Sequence, residues 1–243
     1  GIRGSDWDLN KQFILSPRAT LPLNPQGEKA ILFRFSAGYY QQPPFYRELR
    51  DLQGNINPDV RAQKSIHFVA GMDWDFMAWG RPFKFVTEAY YKILDDLVPY
   101  TIDNVRIRYY GDNLSRGFAY GLDLKVNGEF IKGIDSWASL SLLKTMEDIQ
   151  GDNYWDYYNE SGELIIPGYT DDQTATDSAQ IFPGYIPRPT DQHVNFSLLF
   201  QDYLPRNPTW KMHIKLIFGS RIPFGAPNSP KHEQIYRSPP YRR

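Results

Sequence analysis

The chain has 243 residues, a formal net charge of -1 at pH 7 and no cysteine. The balanced charge argues against a nucleic-acid surface and a polybasic lipid anchor, and the lack of cysteine excludes disulfides, thiolate zinc sites and a cysteine nucleophile. Because no run approaches the roughly 20 apolar residues of a transmembrane helix, and the first ten residues do not resemble a signal peptide, we expect a cytoplasmic, mature or partial chain.

Alternation of apolar and polar residues, together with an aromatic content of 16%, predicts about eight strands paired in four hairpins. The first hairpin joins strands near 13–23 and 30–40 through a turn at Asn24-Pro25-Gln26-Gly27. The second joins strands near 66–76 and 83–93 through Trp79-Gly80-Arg81-Pro82.

The two later hairpins are predicted in the same way. Asn127-Gly128, the strongest short hairpin signal in the chain, is expected to join a strand over 118–126 to one over 130–145. Pro205-Arg206-Asn207-Pro208 is expected to join strands near 193–201 and 210–218.

Long polar connections, near 41–61, 95–115, 147–190 and 221–241, alternate with these short turns. Compact soluble domains rarely contain such long loops, whereas outer-membrane barrels combine short periplasmic turns with long extracellular loops. Several predicted strands also have the length needed to cross a bilayer. We therefore predict an all-β fold, namely part of an antiparallel up-and-down transmembrane β-barrel. About eight strands of a larger barrel would be visible, and 1–243 would form one partial domain.

The alternation assigns a face to each side chain. Apolar residues are expected to face lipid, because a charge at mid-membrane costs about 2–4 kcal/mol. Aromatic residues such as Trp79 and Trp210 suit an interfacial girdle, although they would equally suit the core of a soluble sandwich. The charged residues expected to face the lumen are Lys84, Glu88, Lys92, Asp123, Lys125, Lys211 and Lys215.

Several segments resemble barrel segments of TonB-dependent receptors of the Bacteroidota type. The resemblance covers nearly the whole chain in the expected order, and it is specific as a set. Its segments lie at 43–49 (PPFYREL), 57–65 (NPDVRAQKS), 84–92 (KFVTEAYYK), 102–109 (IDNVRIRY), 121–130 (GLDLKVNGEF) and 186–192 (IPRPTDQ).

The resemblance implies a 22-stranded barrel that encloses an N-terminal plug and receives energy from the TonB complex. Such a receptor imports a scarce nutrient, for example a siderophore, a glycan or a peptide, across the outer membrane of a Gram-negative bacterium. A surface lipoprotein is a further candidate partner. The chain lacks a TonB box and a plug, so we expect it to be a fragment of the C-terminal barrel.

The sequence nominates no enzyme, cofactor or metal site. Asp73 and Asp75 share a face with His67, as an acid–base pair would, but lumen charges balanced by lysines explain them as well. His193 and His213 are expected to approach each other across a hairpin without forming a metal site. Nucleotide-binding loops and nucleophile elbows are absent.

The segment 148–160 is the candidate ligand-binding loop. Its aromatic rings stand beside acidic and amide groups, an arrangement that could stack on a sugar or a siderophore and form hydrogen bonds with it. The alternative is a solvated loop whose rings pack within it. The predicted ligand-binding residues are Tyr154, Trp155, Tyr157 and Tyr158.

Two other functions stay open. The chain could be a complete small barrel with an adhesive or structural role, whose interior would be filled by side chains. It could instead be a soluble β-sandwich or lipocalin-like binding protein, in which the apolar stripes would form a dry core.

Overall fold

The computed structural model describes residues 1–25, 30–103, 106–131, 133–166, 168–204 and 207–223. These residues form fourteen strands and no helix: β1 Ile2–Trp7, β2 Gln12–Leu23, β3 Ala30–Gln42, β4 Gln63–Ala78, β5 Arg81–Leu97, β6 Tyr100–Asp103, β7 Arg106–Tyr109, β8 Ser115–Ile131, β9 Ile134–Ile149, β10 Tyr154–Tyr158, β11 Asp177–Ile181, β12 Tyr185–Pro187, β13 Val194–Leu204 and β14 Asn207–Gly219. A bilayer-spanning helix is therefore not found in this part of the chain.

Most of the strands belong to one antiparallel sheet. Its order is β1-β2-β3-β4-β5-β8-β9-β13-β14, and β12 pairs with β9 beyond the end of β13. Within the described residues the sheet has two edges, β1 and β14. Strands β2, β3, β4, β5, β8, β9, β13 and β14 are the eight predicted from the sequence, and they have 11 to 17 residues each, whereas strands of globular proteins centre on about 5–6.

The turn between β4 and β5 is confirmed. Trp79 and Gly80 are its two central residues, and both have positive φ angles, 52° and 71°. This is the geometry of the tight turn whose twist matches two antiparallel strands. In the predicted turns at 24–27 and 205–208, residues 26–27 and 205–206 lie outside the described residues, but the flanking strands pair as expected.

The turn predicted at Asn127-Gly128 is wrong. Strand β8 continues through both residues to Ile131, and the register shifts between Gly128 and Ile131. A Cβ atom on Gly128 would lie 2.4 Å from the Phe83 ring. The glycine therefore admits an aromatic ring against the backbone at a bulge, which is another common use of glycine within a strand.

The register places apolar side chains on one face of the whole sheet. Residues directly opposite each other share a face, so the row Ala70, Ala89, Leu122, Leu142 and Val194 runs across five adjacent strands. No described element covers this face. Large side chains on it are exposed, among them Phe35, Phe68, Tyr91, Tyr120, Leu142, Ile214, Leu216 and Phe218.

The strands make extensive contacts only with their hydrogen-bonded neighbours, so a second sheet does not pack on the first within the described residues. The buried apolar cluster lies elsewhere. Leu49, Val60 and Val98 form it, in the long connections at one end of the strands. The buried apolar contacts of the described residues therefore lie in the loops, and no second layer of strands packs on the broad faces of the sheet.

Candidate functional site

All three long connections in the described part of the chain meet at one end of the sheet. They run over residues 43–62 between β3 and β4, 98–114 between β5 and β8, and 150–193 between β9 and β13. Because antiparallel neighbours alternate in direction, the short turns lie at the opposite end. The second and third connections contain small hairpins, β6–β7 and β10–β11.

The first two connections form a packed loop layer. Val60 is fully buried and Leu49 and Val98 are nearly so, and Trp7 and Tyr109 pack against them. Burial of this kind excludes water from the base of the connections. Long loops that carry their own apolar contacts are ordered structures rather than free chain.

Polar side chains tie the two connections together. The Asn113 side-chain amide accepts a hydrogen bond from the Arg61 amide at 2.6 Å and donates to the Arg61 and Asp96 carbonyls. The Asn57 side chain donates to the Gly111 carbonyl at 2.9 Å. Residues far apart in the chain are therefore held at fixed positions in the loop layer.

A second polar cluster fills a gap in the pairing of β9. Between β12 and β13 the chain does not pair with the edge of β9. There the Thr145 amide donates a hydrogen bond to the Asp191 carboxylate at 2.7 Å, in place of a bond to a neighbouring strand. The same carboxylate lies 3.2 Å from the Lys144 ammonium and 3.0 Å from the His193 ring. Since the Asp191 side chain is only 1% exposed, the carboxylate secures the third connection to the sheet.

On the other face of β9, Glu147 is buried beside Arg188. The Arg188 Nε atom lies 3.4 Å from the Glu147 carboxylate, which also accepts a hydrogen bond from the Ser115 hydroxyl. Burial lowers the pKa of the Arg188 guanidinium. The segment 188–193 thus places one ionic group on each face of the sheet. Sequence reasoning did not identify either group, because their partners are distant in the chain.

Replacement of Asp191 by alanine is expected to destabilise the protein by about 2–4 kcal/mol. It leaves the Thr145 amide without an acceptor and removes the counter-ion of Lys144. Denaturant unfolding of the two variants and of the unmodified chain measures the change. Asp148→Ala is the matched control, because the Arg116–Asp148 pair is more exposed (60% and 21%) and such pairs contribute about 0–1 kcal/mol. Equal losses would show that the buried carboxylate is not a special anchor.

The four predicted ligand-binding residues lie on β10, and the structure places two of them on each face of the strand. Strand β10 pairs with β11 so that Trp155 lies opposite Gln180 and Tyr157 opposite Ser178. Trp155 and Tyr157 share the outer face and are 50% and 47% exposed. Tyr154 and Tyr158 point to the other side and are half-buried. Only two of the four rings are therefore presented together to a ligand.

Strand β10 has hydrogen-bonded partners along both of its edges. Tyr158 forms a bridge with Leu164, and the Ile165 amide donates to the Tyr157 carbonyl at 2.8 Å. Asn159 is 3% exposed, and its side-chain oxygen accepts a hydrogen bond from the Glu163 amide. The outer face of β10 consequently belongs to a two-stranded sheet that the segment 159–165 supports along the second edge of β10. The contribution of β11 was missed because 147–190 was predicted to be a loop.

The segment from Met146 to Pro187, which covers most of the third connection, carries acidic charge and no basic charge. It contains no lysine, arginine or histidine. Burial, and then the charge of Asp148, raise the pKa of the Asp152 carboxyl. The nine acidic residues in this segment are Glu147, Asp148, Asp152, Asp156, Glu160, Glu163, Asp171, Asp172 and Asp177.

The raised pKa of Asp152 predicts a pH-dependent hairpin. The protonated Asp152 carboxyl stabilises the hairpin relative to the charged carboxylate. This stabilisation is fully present below the ordinary aspartate pKa and is lost as the pH rises through the raised pKa of Asp152. Asp152→Asn should therefore increase amide protection in β10 at pH 7, and the gain should shrink towards pH 3.5. Hydrogen exchange, corrected for the intrinsic rate at each pH, measures this. A gain that is the same at both pH values would contradict the assignment.

The face opposite the apolar one carries the predicted lumen charges. Asp73 lies 2.7 Å from Arg34 and 3.0 Å from Lys84, so it is neutralised across neighbouring strands. Lys92 and Lys125 lie over the rings of Tyr90 and Trp137. Asp73, Lys84, Lys92 and Lys125 on this face therefore form ion pairs or ring contacts.

His193 and His213 do not approach each other, so that expectation is wrong. His213 is opposite Gln201 on β13, whereas His193 precedes β13 and lies near Lys144 at the loop end. Eight residues of extended chain, about 26 Å, separate the two positions. Within the described residues, His, Cys, Asp and Glu form no group of three or more that could hold a metal ion.

Comparison with known protein families, with curated proteins and with solved structures finds no match to this chain.

Proposed function

We propose that the chain forms part of the wall of an outer-membrane β-barrel that takes up a scarce nutrient, in the manner of a TonB-dependent receptor. The strands span the membrane, and the loop layer faces the outside of the cell. Energy arrives through the TonB complex and a plug domain encoded outside these 243 residues. The chain itself carries out no catalytic step.

The observation that carries this proposal is the exposed apolar face. Leu216 is 58% exposed, Phe68 is 49% exposed and Tyr91 is 45% exposed, and the face continues across all eight long strands. Soluble proteins rarely expose apolar patches beyond a few hundred Å². Hydrocarbon tails cover such a face without requiring a second protein layer.

The dimensions of the face agree with a membrane. On β5 the side chains of the apolar face run from Phe83, which neighbouring rings cover, to Ile93. This is ten residues or about 33 Å of strand. A strand tilted by about 35–45° spans about 25 Å over that length, which is the height of the apolar band of outer-membrane barrels.

Aromatic residues lie at both ends of this band. At the turn end, the rings of Trp74, Phe76 and Phe83 form a chain of contacts, with centroids 4.6 and 5.7 Å apart. At the loop end, Tyr91 stacks on Tyr120 at 6.5 Å, and Phe118 lies 5.3 Å from Tyr185. Aromatic groups towards both ends of the apolar band suit the two interfaces of a bilayer.

The backbone arrangement supports the same conclusion. Inside a membrane every backbone amide and carbonyl needs a protein partner, and continuous strand pairing supplies one. Strands β4 and β5 pair over nearly their whole lengths, from Lys64–Asp95 to Ala78–Arg81. The outer edges of β1 and β14 require further strands for the same reason.

Cysteine labelling tests the proposal, because the native chain contains no cysteine that would react. Single variants Ser161→Cys in the third connection, Leu140→Cys on the apolar face and Ser139→Cys on the charged face are produced in a Gram-negative host. A membrane-impermeant maleimide should label Ser161→Cys on intact cells. It should not label Leu140→Cys, which should react with a lipid-soluble maleimide instead.

The neighbouring Ser139→Cys variant is the control for local reactivity, since it differs from Leu140→Cys by one residue and one face. It should be protected from lipid-soluble reagent. Equal labelling of the variants at 139 and 140 by the impermeant reagent, or recovery of the chain as a detergent-free monomer, would overturn the proposal and favour a soluble binding protein.

A further inference from the structure

The exposed side of the β10–β11 hairpin presents aromatic rings beside neutral hydrogen-bonding groups. Trp155 is paired with Gln180 and Tyr157 with Ser178. Phe182, which directly follows β11, is 72% exposed. Asn153, directly before β10, is also exposed. We call the six residues Asn153, Trp155, Tyr157, Ser178, Gln180 and Phe182 the hairpin platform.

The chemistry of the hairpin platform is uniform. None of its six side chains is charged, although the connection that contains it is rich in acid. Trp155 and Tyr157 are two residues apart on one strand, about 6.8 Å, so both rings can contact one extended ligand. The amides of Gln180 and Asn153 and the hydroxyl of Ser178 can both donate and accept hydrogen bonds.

The charge around the platform selects among ligands. Two of the nine acidic residues between Met146 and Pro187, namely Glu147 and Asp148, pair with Arg188 and Arg116. The segment has seven further acidic residues and no basic residue, so an anionic ligand would be repelled. A small cation would find no carboxylate among the six platform side chains. A ligand with apolar faces and many hydroxyl groups, and without charge, satisfies both the rings and the amides.

We propose that the hairpin platform binds a neutral oligosaccharide, with sugar faces stacked on Trp155 and Tyr157 and hydroxyl groups bonded to Gln180, Ser178 and Asn153. The inference rests on the proposed function, because the platform must face the medium. It selects the glycan class from the nutrients that such a receptor could import, and it assigns the recognition to two of the four rings that the sequence nominated.

Affinity electrophoresis of the full chain in detergent tests the platform. Native gels contain soluble starch, dextran, galactomannan or arabinoxylan as neutral polysaccharides, and polygalacturonate as the acidic one. We expect at least one neutral polysaccharide to retard the protein and polygalacturonate to have no effect. Trp155→Ala and Tyr157→Ala should each weaken the retardation by about tenfold or more, as expected for central aromatic contacts.

Tyr169→Ala is the matched control. Tyr169 is in the same connection and is 88% exposed, but it is not on the platform, so its loss should leave the retardation unchanged. Circular dichroism and cysteine labelling at Ser161 verify that each variant retains its fold and location.

Three results would overturn the platform: no retardation in any neutral gel, retardation by polygalacturonate, or equal effects of Trp155→Ala and Tyr169→Ala. Failure of the platform is distinguishable from failure of the proposed function. In the first case the labelling pattern of the apolar and charged faces persists while the gels show no neutral-sugar binding. In the second, the labelling pattern itself is lost.

Discussion

Replacement of Leu142 by arginine is expected to prevent assembly of the chain in the outer membrane, whereas replacement of its neighbour Ser141 by arginine is expected to be tolerated. Leu142 lies in the row with Leu122 and Ala89, near the middle of the proposed apolar band. An arginine there costs about 2–4 kcal/mol at the bilayer midplane. An arginine at 141 lies directly opposite Asp123 on the charged face, where it gains a partner.

The two variants carry the same substituent on adjacent residues, so they differ only in the face that receives the charge. Assembly is measured by the fraction of the chain recovered in outer membranes and by its resistance to urea extraction. Comparable recovery of both variants would remove the argument for lipid on the Leu142 side. Loss of the Ser141→Arg variant alone would mean that the two faces are reversed.

Replacement of Gly111 by alanine should disrupt the loop layer. Gly111 has a φ angle of 69°, which costs an L-residue energy, and an added Cβ would lie 2.6 Å from the Asp51 backbone nitrogen. Strain and overpacking together are expected to cost about 2–5 kcal/mol. Amide protection in residues 43–62 should therefore fall by about 30-fold or more, as measured by hydrogen exchange.

Gly162→Ala separates the two causes of this loss. Gly162 has a similar φ angle, 74°, but an added Cβ would meet nothing within 4 Å. This variant should lose only the smaller contribution of backbone strain, about 1–2 kcal/mol, and should leave residues 43–62 protected. If the two glycines respond alike, close packing of the Asp51 backbone against Gly111 is not what holds the loop layer together.

Polar groups hold the long connections in place, including the third connection, which contains the proposed hairpin platform. Asn113 and Arg61 connect the first two connections, and Asp191 secures the third to β9. A platform on a rigid base loses less conformational freedom when it binds than one on free chain. The structure therefore separates a supporting set of polar groups from the exposed groups of the proposed platform.

The sequence by itself determined the eight long strands, their pairing in hairpins and the two faces of the sheet. These properties follow from alternation with a period of two, which is local: Ile66, Phe68 and Ala70 identify an apolar face without information about their partners. The same locality explains the error at Asn127-Gly128. A two-residue signal cannot reveal that the Phe83 ring, forty-five residues earlier, occupies the space beside Gly128.

Only the tertiary structure decided which side chains of the long connections act together. It paired Trp155 with Gln180, separated Tyr154 and Tyr158 from the exposed face, and placed Asp191 beneath the Thr145 amide. These contacts join residues 25 or more positions apart, and loops have no periodicity that would predict them. The long strands were readable from local pattern because each strand repeats one rule, whereas the arrangement of the long connections depends on long-range contacts that each occur once.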